Sequence, residues 1–65
     1  MSTIRDILVD SQRRLSNAGI ESASTESAEL LAHVLGVPRN RLFMQDSIDE
    51  EDRVAFERLL AKRLN

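Results

Sequence analysis

The sequence predicts an all-α protein, a compact bundle of four to five short helices. Apolar residues recur at helical spacing through most of the chain. The residues that interrupt helices are few: Gly19, Gly36 and Pro38. The sustained alternation of apolar and polar residues that marks a half-buried strand is nearly absent. Together with two polar clusters, at 21–25 and 46–49, these interruptions divide the chain into four helical segments.

The first helix is predicted over residues 4–18. Thr3 is a suitable N-cap, and Asp6 stands at the third helical position, where a carboxylate is favoured. Gly19 supplies the left-handed residue that ends many helices, and Ile20 the apolar contact that follows it. The predicted buried face consists of Ile4, Ile7, Leu8, Ser11, Leu15 and Ala18.

The second helix is predicted to begin between Ser24 and Ser27 and to end at Leu35, before Gly36. Its wide apolar arc indicates a central position with neighbours on several sides. The arc consists of Ala28, Leu30, Leu31, Ala32, Val34 and Leu35, and the narrow polar stripe of Glu26, Glu29 and His33. A short third helix is predicted from Pro38, at its first position, to about Gln45.

The fourth helix is predicted to follow Ile48, with Asp49 as its N-cap and three acidic residues in its first turn. Its predicted buried stripe consists of Phe56, Leu59, Leu60 and Leu64. Arg63 falls within this stripe, and an unpaired buried charge is costly. Either the helix frays before Arg63, which is slightly favoured, or Arg63 meets a carboxylate of another segment.

Size, charge and composition limit the function classes. The chain has 65 residues and is one domain at most. Its net charge of −2 argues against a module that binds nucleic acid mainly through phosphates. The absence of cysteine excludes disulfides and thiolate zinc sites. No apolar run reaches the length of a membrane span, and the first residues lack the apolar centre of a signal peptide, so we expect a cytoplasmic protein. We also expect a monomer.

One alternative is a helix-turn-helix that reads DNA. Ala32, Gly36 and Leu42 have the spacing of the small residue, turn glycine and buried residue of that motif. Arg39, Asn40 and Arg41 would then face the major groove. The same residues also suit two packed helices joined by a glycine, and the acidic balance and the short third helix favour that simpler interpretation.

Residues with catalytic or metal-binding chemistry are few. His33 is the single histidine, and pairing with Glu29 one turn earlier on the helix flank explains it better than catalysis. One histidine with a nearby carboxylate does not make a zinc site. The acidic run 49–52 is explained by capping, and the chain has no glycine-rich phosphate loop.

The order of these signals resembles the N-terminal domain of the HemK/PrmC family of release factor glutamine methyltransferases. The matching segments are Ile4-Arg5-Asp6, Ala18-Gly19-Ile20-Glu21-Ser22, Ala28-Glu29-Leu30-Leu31-Ala32-His33-Val34-Leu35-Gly36-Val37, Arg39-x-Arg41-Leu42 and Phe56-Glu57-x-Leu59-Leu60-Ala61-Lys62-Arg63. They cover nearly the whole chain. Two departures stand out: the loop 22–27 is longer than usual and lacks the family's common proline, and family members continue past the Lys/Arg pair into a Rossmann-like catalytic domain.

The resemblance implies that residues 1–65 are a substrate-recognition domain and that the catalytic domain is absent from this chain. The parent enzyme would transfer a methyl group from S-adenosylmethionine to the glutamine of the Gly-Gly-Gln loop of peptide-chain release factors. This domain would help bind and orient the release factor. None of the matching positions is catalytic, so we expect no catalytic, cofactor or metal residue here.

The expected partners are a release factor and the parent's own catalytic domain, with no membrane and no nucleic acid. Exposed arginines are favoured at protein interfaces. The candidates for partner binding are Arg13, Arg14, Arg39 and Arg41, and Arg63 is the candidate for a contact with the catalytic domain. The alternatives are a helix-turn-helix module and a free-standing helical interaction domain.

Overall fold

A computed structural model of the chain describes residues 3–45 and 48–65. These residues form three α-helices and one 3-10 helix. In chain order they are α1 (Ile4–Asn17), α2 (Ala23–Leu35), the 3-10 helix (Arg39–Met44) and α3 (Glu50–Leu64). The predicted all-α class, with four to five short helices, is confirmed.

Helix α2 lies at the centre of the fold, as its wide apolar arc predicts. It packs against α1 on one side, against α3 on another and against the 3-10 helix. Leu31 of α2 is completely buried, and so are Leu15 of α1, Leu42 of the 3-10 helix and Leu60 of α3. Each such burial contributes about 1.5–3 kcal/mol relative to an exposed side chain, so every element is held by at least one core leucine.

The ends of α1 are formed as its sequence predicts. The backbone N–H of Asp6 donates to the Thr3 hydroxyl at 3.2 Å, which satisfies one amide that has no partner within the helix. Gly19 adopts a φ of 87°, and the N–H of Ile20 donates to the Leu15 carbonyl. Ala18 is exposed and follows the last helical residue, so its predicted place on the buried face is wrong.

The start of α2 differs from the prediction. The helix begins at Ala23, after Ser22, and not between Ser24 and Ser27. The Ser22 hydroxyl donates a hydrogen bond to the Glu26 carboxylate at 3.0 Å and caps no backbone amide. Ser27 is buried instead, where its hydroxyl donates to the Ser24 carbonyl at 3.0 Å. The earlier start brings Ala23 into the core.

The third segment is a 3-10 helix and not an α-helix. It follows Pro38, which precedes the first helical residue instead of occupying it, and ends at Met44, one residue short of the predicted end. Gly36 before it has a φ of 68°, and the N–H of Val37 donates to the Ala32 carbonyl, which completes the glycine stop predicted for α2. The polar cluster predicted around Asp46 lies partly outside the described residues.

Helix α3 continues through Arg63 to Leu64, so the favoured prediction of fraying is wrong. Phe56 and Leu60 are buried as predicted, while Leu59 and Leu64 are half-buried. Asp49 precedes the helix, but its side chain accepts no capping hydrogen bond.

Candidate functional site

Two large apolar side chains of the 3-10 helix point into solvent. Phe43 is 72% exposed and Met44 76% exposed. A 3-10 helix places three residues in each turn, and Leu42 takes the position that faces the core, so its two successors turn outward. We call Arg39, Asn40, Arg41, Phe43 and Met44 the 3-10 surface. Aromatic residues, methionine and arginine are the types enriched at protein interfaces.

A shallow cleft adjoins the 3-10 surface. It has a volume of about 380 Å³ and lies between the 3-10 helix and helices α1 and α2. Phe43 and Arg39 form one side of it, while Leu8 of α1 and Ala28 of α2 contribute apolar atoms. The cleft offers a concave apolar surface next to two exposed apolar side chains, which is an arrangement suited to a protein partner.

Neither Phe43 nor Met44 stands out in the sequence as a functional residue. The available signal is the run Leu42-Phe43-Met44 within a short segment. A helix of six residues cannot bury three consecutive large side chains against one core, because they point in different directions.

Two of the predicted partner-binding arginines lie together on α1. Arg13 pairs with Asp10 at 3.3 Å, and Arg14 contacts the same carboxylate at 3.6 Å. Arg14 also donates to both oxygens of Glu57, at 3.1 and 3.0 Å, and thereby links α1 to α3. Exposed pairs of this kind contribute about 0–1 kcal/mol, so Arg13 remains available to a partner, whereas Arg14 also has a role within the fold.

The other two predicted arginines belong to the 3-10 surface. Arg39 lies 3.5 Å from the Glu29 carboxylate, and Arg41 is exposed and has no ion pair with any other described residue. The predicted pairing of His33 with Glu29 is wrong, because Glu29 faces Arg39 and His33 makes no hydrogen bond within the described part of the chain. The structure thus brings Arg39 and Arg41 beside the exposed apolar pair and leaves Arg13 and Arg14 on α1.

The helix-turn-helix alternative meets part of its geometric requirement. Ala32 and Leu42 are buried and Gly36 is left-handed, as the motif's packing positions require. The segment that would read bases is, however, a six-residue 3-10 helix, whereas the recognition helix of the motif is an α-helix lying in the major groove. Arg39, one of the expected base-reading residues, is directed to Glu29.

Arg63 finds its carboxylate within the domain. Its guanidinium donates to both oxygens of Glu26, from Nε to Oε1 and from Nη2 to Oε2, the latter at 3.0 Å. The hydrogen bond from Arg63 lowers the pKa of Glu26, with a smaller contribution from the Ser22 hydroxyl, and the pKa of Arg63 is raised in turn. This two-bond pair ties α2 to the end of α3. A contact of Arg63 with the catalytic domain stays a prediction.

Within residues 3–45 and 48–65, no three acidic, histidine or cysteine side chains are grouped closely enough to hold a metal ion. No helix of this part of the chain is both long and apolar enough to cross a bilayer.

Fold and surface together define a small helical domain that has a core of aliphatic side chains and one phenylalanine and that exposes Phe43 and Met44 to solvent. A family model described as the PrmC N-terminal domain matches residues 6–65. The chain therefore belongs to the family of PrmC N-terminal domains, which confirms the resemblance noted in its sequence.

Two curated relatives agree with this assignment. The chain is 38% identical over 64 residues to the bifunctional methyltransferase of Rickettsia conorii, a match that covers 95% of the chain and 12% of that protein. It is 36% identical over 63 residues to the release factor glutamine methyltransferase of Mycolicibacterium smegmatis, covering 97% of the chain and 22% of that protein. The chain therefore spans less than a quarter of either relative. No solved structure matches it significantly.

Proposed function

We propose that this chain is the non-catalytic recognition domain of a protein-glutamine methyltransferase. It binds a peptide-chain release factor and orients the Gly-Gly-Gln loop toward a catalytic domain of the same protein, which uses S-adenosylmethionine as methyl donor. Family membership and the release factor methyltransferase among its relatives support the proposal. Because release factors act during translation, the proposed place of action is the cytoplasm.

The observation that carries a binding role is the exposure of Phe43 and Met44 beside Arg41. Exposed large apolar side chains lose favourable burial energy unless a partner covers them. Arg41 follows Pro38 by three residues and precedes Met44 by three, so it lies on the same edge of the 3-10 helix as Met44. A partner that covers Met44 therefore also comes within reach of this guanidinium.

In this proposal the domain performs no bond-making step. The domain adds contact area to a release factor that the catalytic domain alone would hold less firmly. Once one domain has bound the release factor, binding by the other domain is intramolecular, which raises the overall affinity. We expect the isolated chain to bind a release factor weakly. A small interface must first offset the translational and rotational freedom lost on binding, which costs about 4 kcal/mol or more.

The test is an NMR titration of the ¹⁵N-labelled chain with a whole release factor, since this method detects weak binding. We expect the amide signals of the 3-10 surface to shift. The double variant Phe43→Ala, Met44→Ala should weaken binding about tenfold or more, because truncating interface anchors costs about 1–2 kcal/mol.

The matched control is Val9→Ala, which removes apolar atoms from a side chain that is 58% exposed on α1. Its affinity should equal that of the unaltered chain within about twofold, and both variants should keep the thermal midpoint of the parent chain because the altered side chains are exposed. The proposal fails if the release factor causes no shifts, or if the double variant binds as well as the control.

A further inference from the structure

A groove between α2 and α3 has two cations, Arg58 and Lys62, on its rim and no anion among the described residues that line it. Its volume is about 650 Å³, and its lining includes half-buried Val34 and Leu59 along the floor. His33, Arg58 and Lys62 are exposed and stand along the rim. No carboxylate lines the groove among the described residues.

The carboxylates nearest the basic rim have other cationic partners, including Glu57, the neighbour of Arg58 in the chain, which pairs with Arg14. Glu26 and Glu29 share the polar stripe of α2 with His33, but Glu26 is paired with Arg63 and Glu29 with Arg39. Within the described chain Arg58 and Lys62 have no ion pair. The acidic first turn of α3 lies about 9 Å or more along the helix axis from Arg58. The described residues that line this groove therefore include cations and no carboxylate, although the chain has a net charge of −2, while Arg58 also borders a second depression lined by Glu50 and Glu57.

The groove and the 3-10 surface lie on different sides of α2. At 100° per residue, Ala28, which lines the cleft beside the 3-10 helix, lies about 140° around α2 from His33 and about 120° from Val34, which line the groove. A segment bound in the groove would therefore make a contact separate from any contact at the 3-10 surface.

We propose that the α2–α3 groove binds an acidic segment of the release factor, with apolar side chains on the groove floor and carboxylates against Arg58 and Lys62. The inference rests on the proposed function and adds a second contact to it. Charge complementarity selects an acidic occupant, because like charges placed together cost binding energy. The apolar floor and the small number of cations favour a protein segment over a nucleic acid, whose binding depends on many phosphate contacts.

The test compares two double variants in the same titration with a whole release factor. Arg58→Glu with Lys62→Glu reverses the rim, and we expect the dissociation constant to rise at least about tenfold. Arg5→Glu with Arg53→Glu is the matched control, since it makes the same change in net charge at exposed positions. Arg53 lies on the opposite side of α3 from Lys62. The control should bind within about twofold of the unaltered chain.

A second readout locates the contact. Amide signals of Val34 and Leu59 should shift with release factor, and higher salt should weaken binding of the unaltered chain more than that of the rim-reversed variant R58E/K62E, because exposed charges are screened. Equal affinity of the two double variants overturns the groove proposal while the 3-10 surface and the proposed function stand. Absence of any binding by the unaltered chain overturns both.

Two further results identify a different occupant and overturn the proposal. The first is concentration-dependent dimerisation in sedimentation velocity that R58E/K62E abolishes, which would assign the groove to a second copy of the chain. The second is tight binding of a short single-stranded RNA that the same variant abolishes while its affinity for the release factor is unchanged.

Discussion

Replacing Leu31 by alanine tests the central position of α2. Leu31 is completely buried, and α2 contacts α1, α3 and the 3-10 helix. The substitution removes three carbon atoms, which at about 0.8 kcal/mol for each buried methylene is a transfer loss of about 2.4 kcal/mol. Because the neighbouring helices hold the walls of the site in place, the cavity collapses only in part, and the total cost rises to about 3–5 kcal/mol.

This cost is large for a domain of this size. At about 0.05–0.15 kcal/mol per residue, a 65-residue domain has a stability of about 3–10 kcal/mol. A loss of about 3 kcal/mol lowers the thermal midpoint of so small a domain by about 12–24 °C. We therefore expect Leu31→Ala to leave a substantial fraction of the chain unfolded at 37 °C.

The assay is thermal unfolding followed by circular dichroism at 222 nm, with Leu30→Ala as the matched control. Leu30 is the adjacent residue of α2 and is half-buried, so the change in helix propensity is the same and the loss of burial is smaller. The control should lose about half as much stability or less. Equal midpoints for the two variants, or a midpoint of Leu31→Ala within a few degrees of the unaltered chain, would show that the core does not centre on Leu31.

Three other predictions concern single features. Gly36→Ala should lower stability by about 1–2 kcal/mol in thermal unfolding, since the φ of 68° is strained for alanine although a Cβ would meet no atom within 4 Å; an unchanged midpoint contradicts this. Arg63 lowers the pKa of Glu26 in the folded state. The ionised carboxylate therefore stabilises the fold above pH 4.5, the ordinary pKa of this group, and this stabilisation is lost as pH falls through the lowered pKa. In Glu26→Gln, the free energy of unfolding should therefore fall less on going to acid pH than it does in the unaltered chain. The same pH dependence in both would refute the pairing. Duplex DNA should bind weakly and without sequence preference at physiological salt; tight selective binding lost in Arg39→Ala, Arg41→Ala would restore the helix-turn-helix.

The sequence determines the ends of α1 and the end of α2 because each depends on one unambiguous local signal. Thr3 is the hydroxyl residue directly before the first apolar repeat, and Gly19 and Gly36 are the chain's two glycines. The start of α2 is harder to predict because several hydroxyl residues stand close together there. In the structure Ser22 precedes the helix, and Ser27 lies in the core with its hydroxyl bonded to a carbonyl one turn earlier.

The surface is less predictable than the core, because it depends on contacts between residues far apart in the chain. The position of Arg63 in an apolar stripe leaves open whether the helix frays or Arg63 meets a carboxylate, and only the packing of α3 against α2 identifies Glu26 as its partner. His33 has Glu29 at a suitable helical spacing, yet Arg39 competes for the same carboxylate once the 3-10 helix is in place. Phe43 is exposed because the third segment is a 3-10 helix, and hydrophobic spacing in the sequence does not distinguish this helix type from an α-helix.

The most direct test of the recognition role uses the proposed full-length methyltransferase, with and without residues 1–65. Methyl transfer is measured to a whole release factor and to a short Gly-Gly-Gln peptide. We predict that deletion slows transfer to the whole release factor far more than transfer to the peptide, because only the large substrate reaches the deleted surface. Equal slowing with both substrates would contradict recognition and would make the domain a folding support for the catalytic domain.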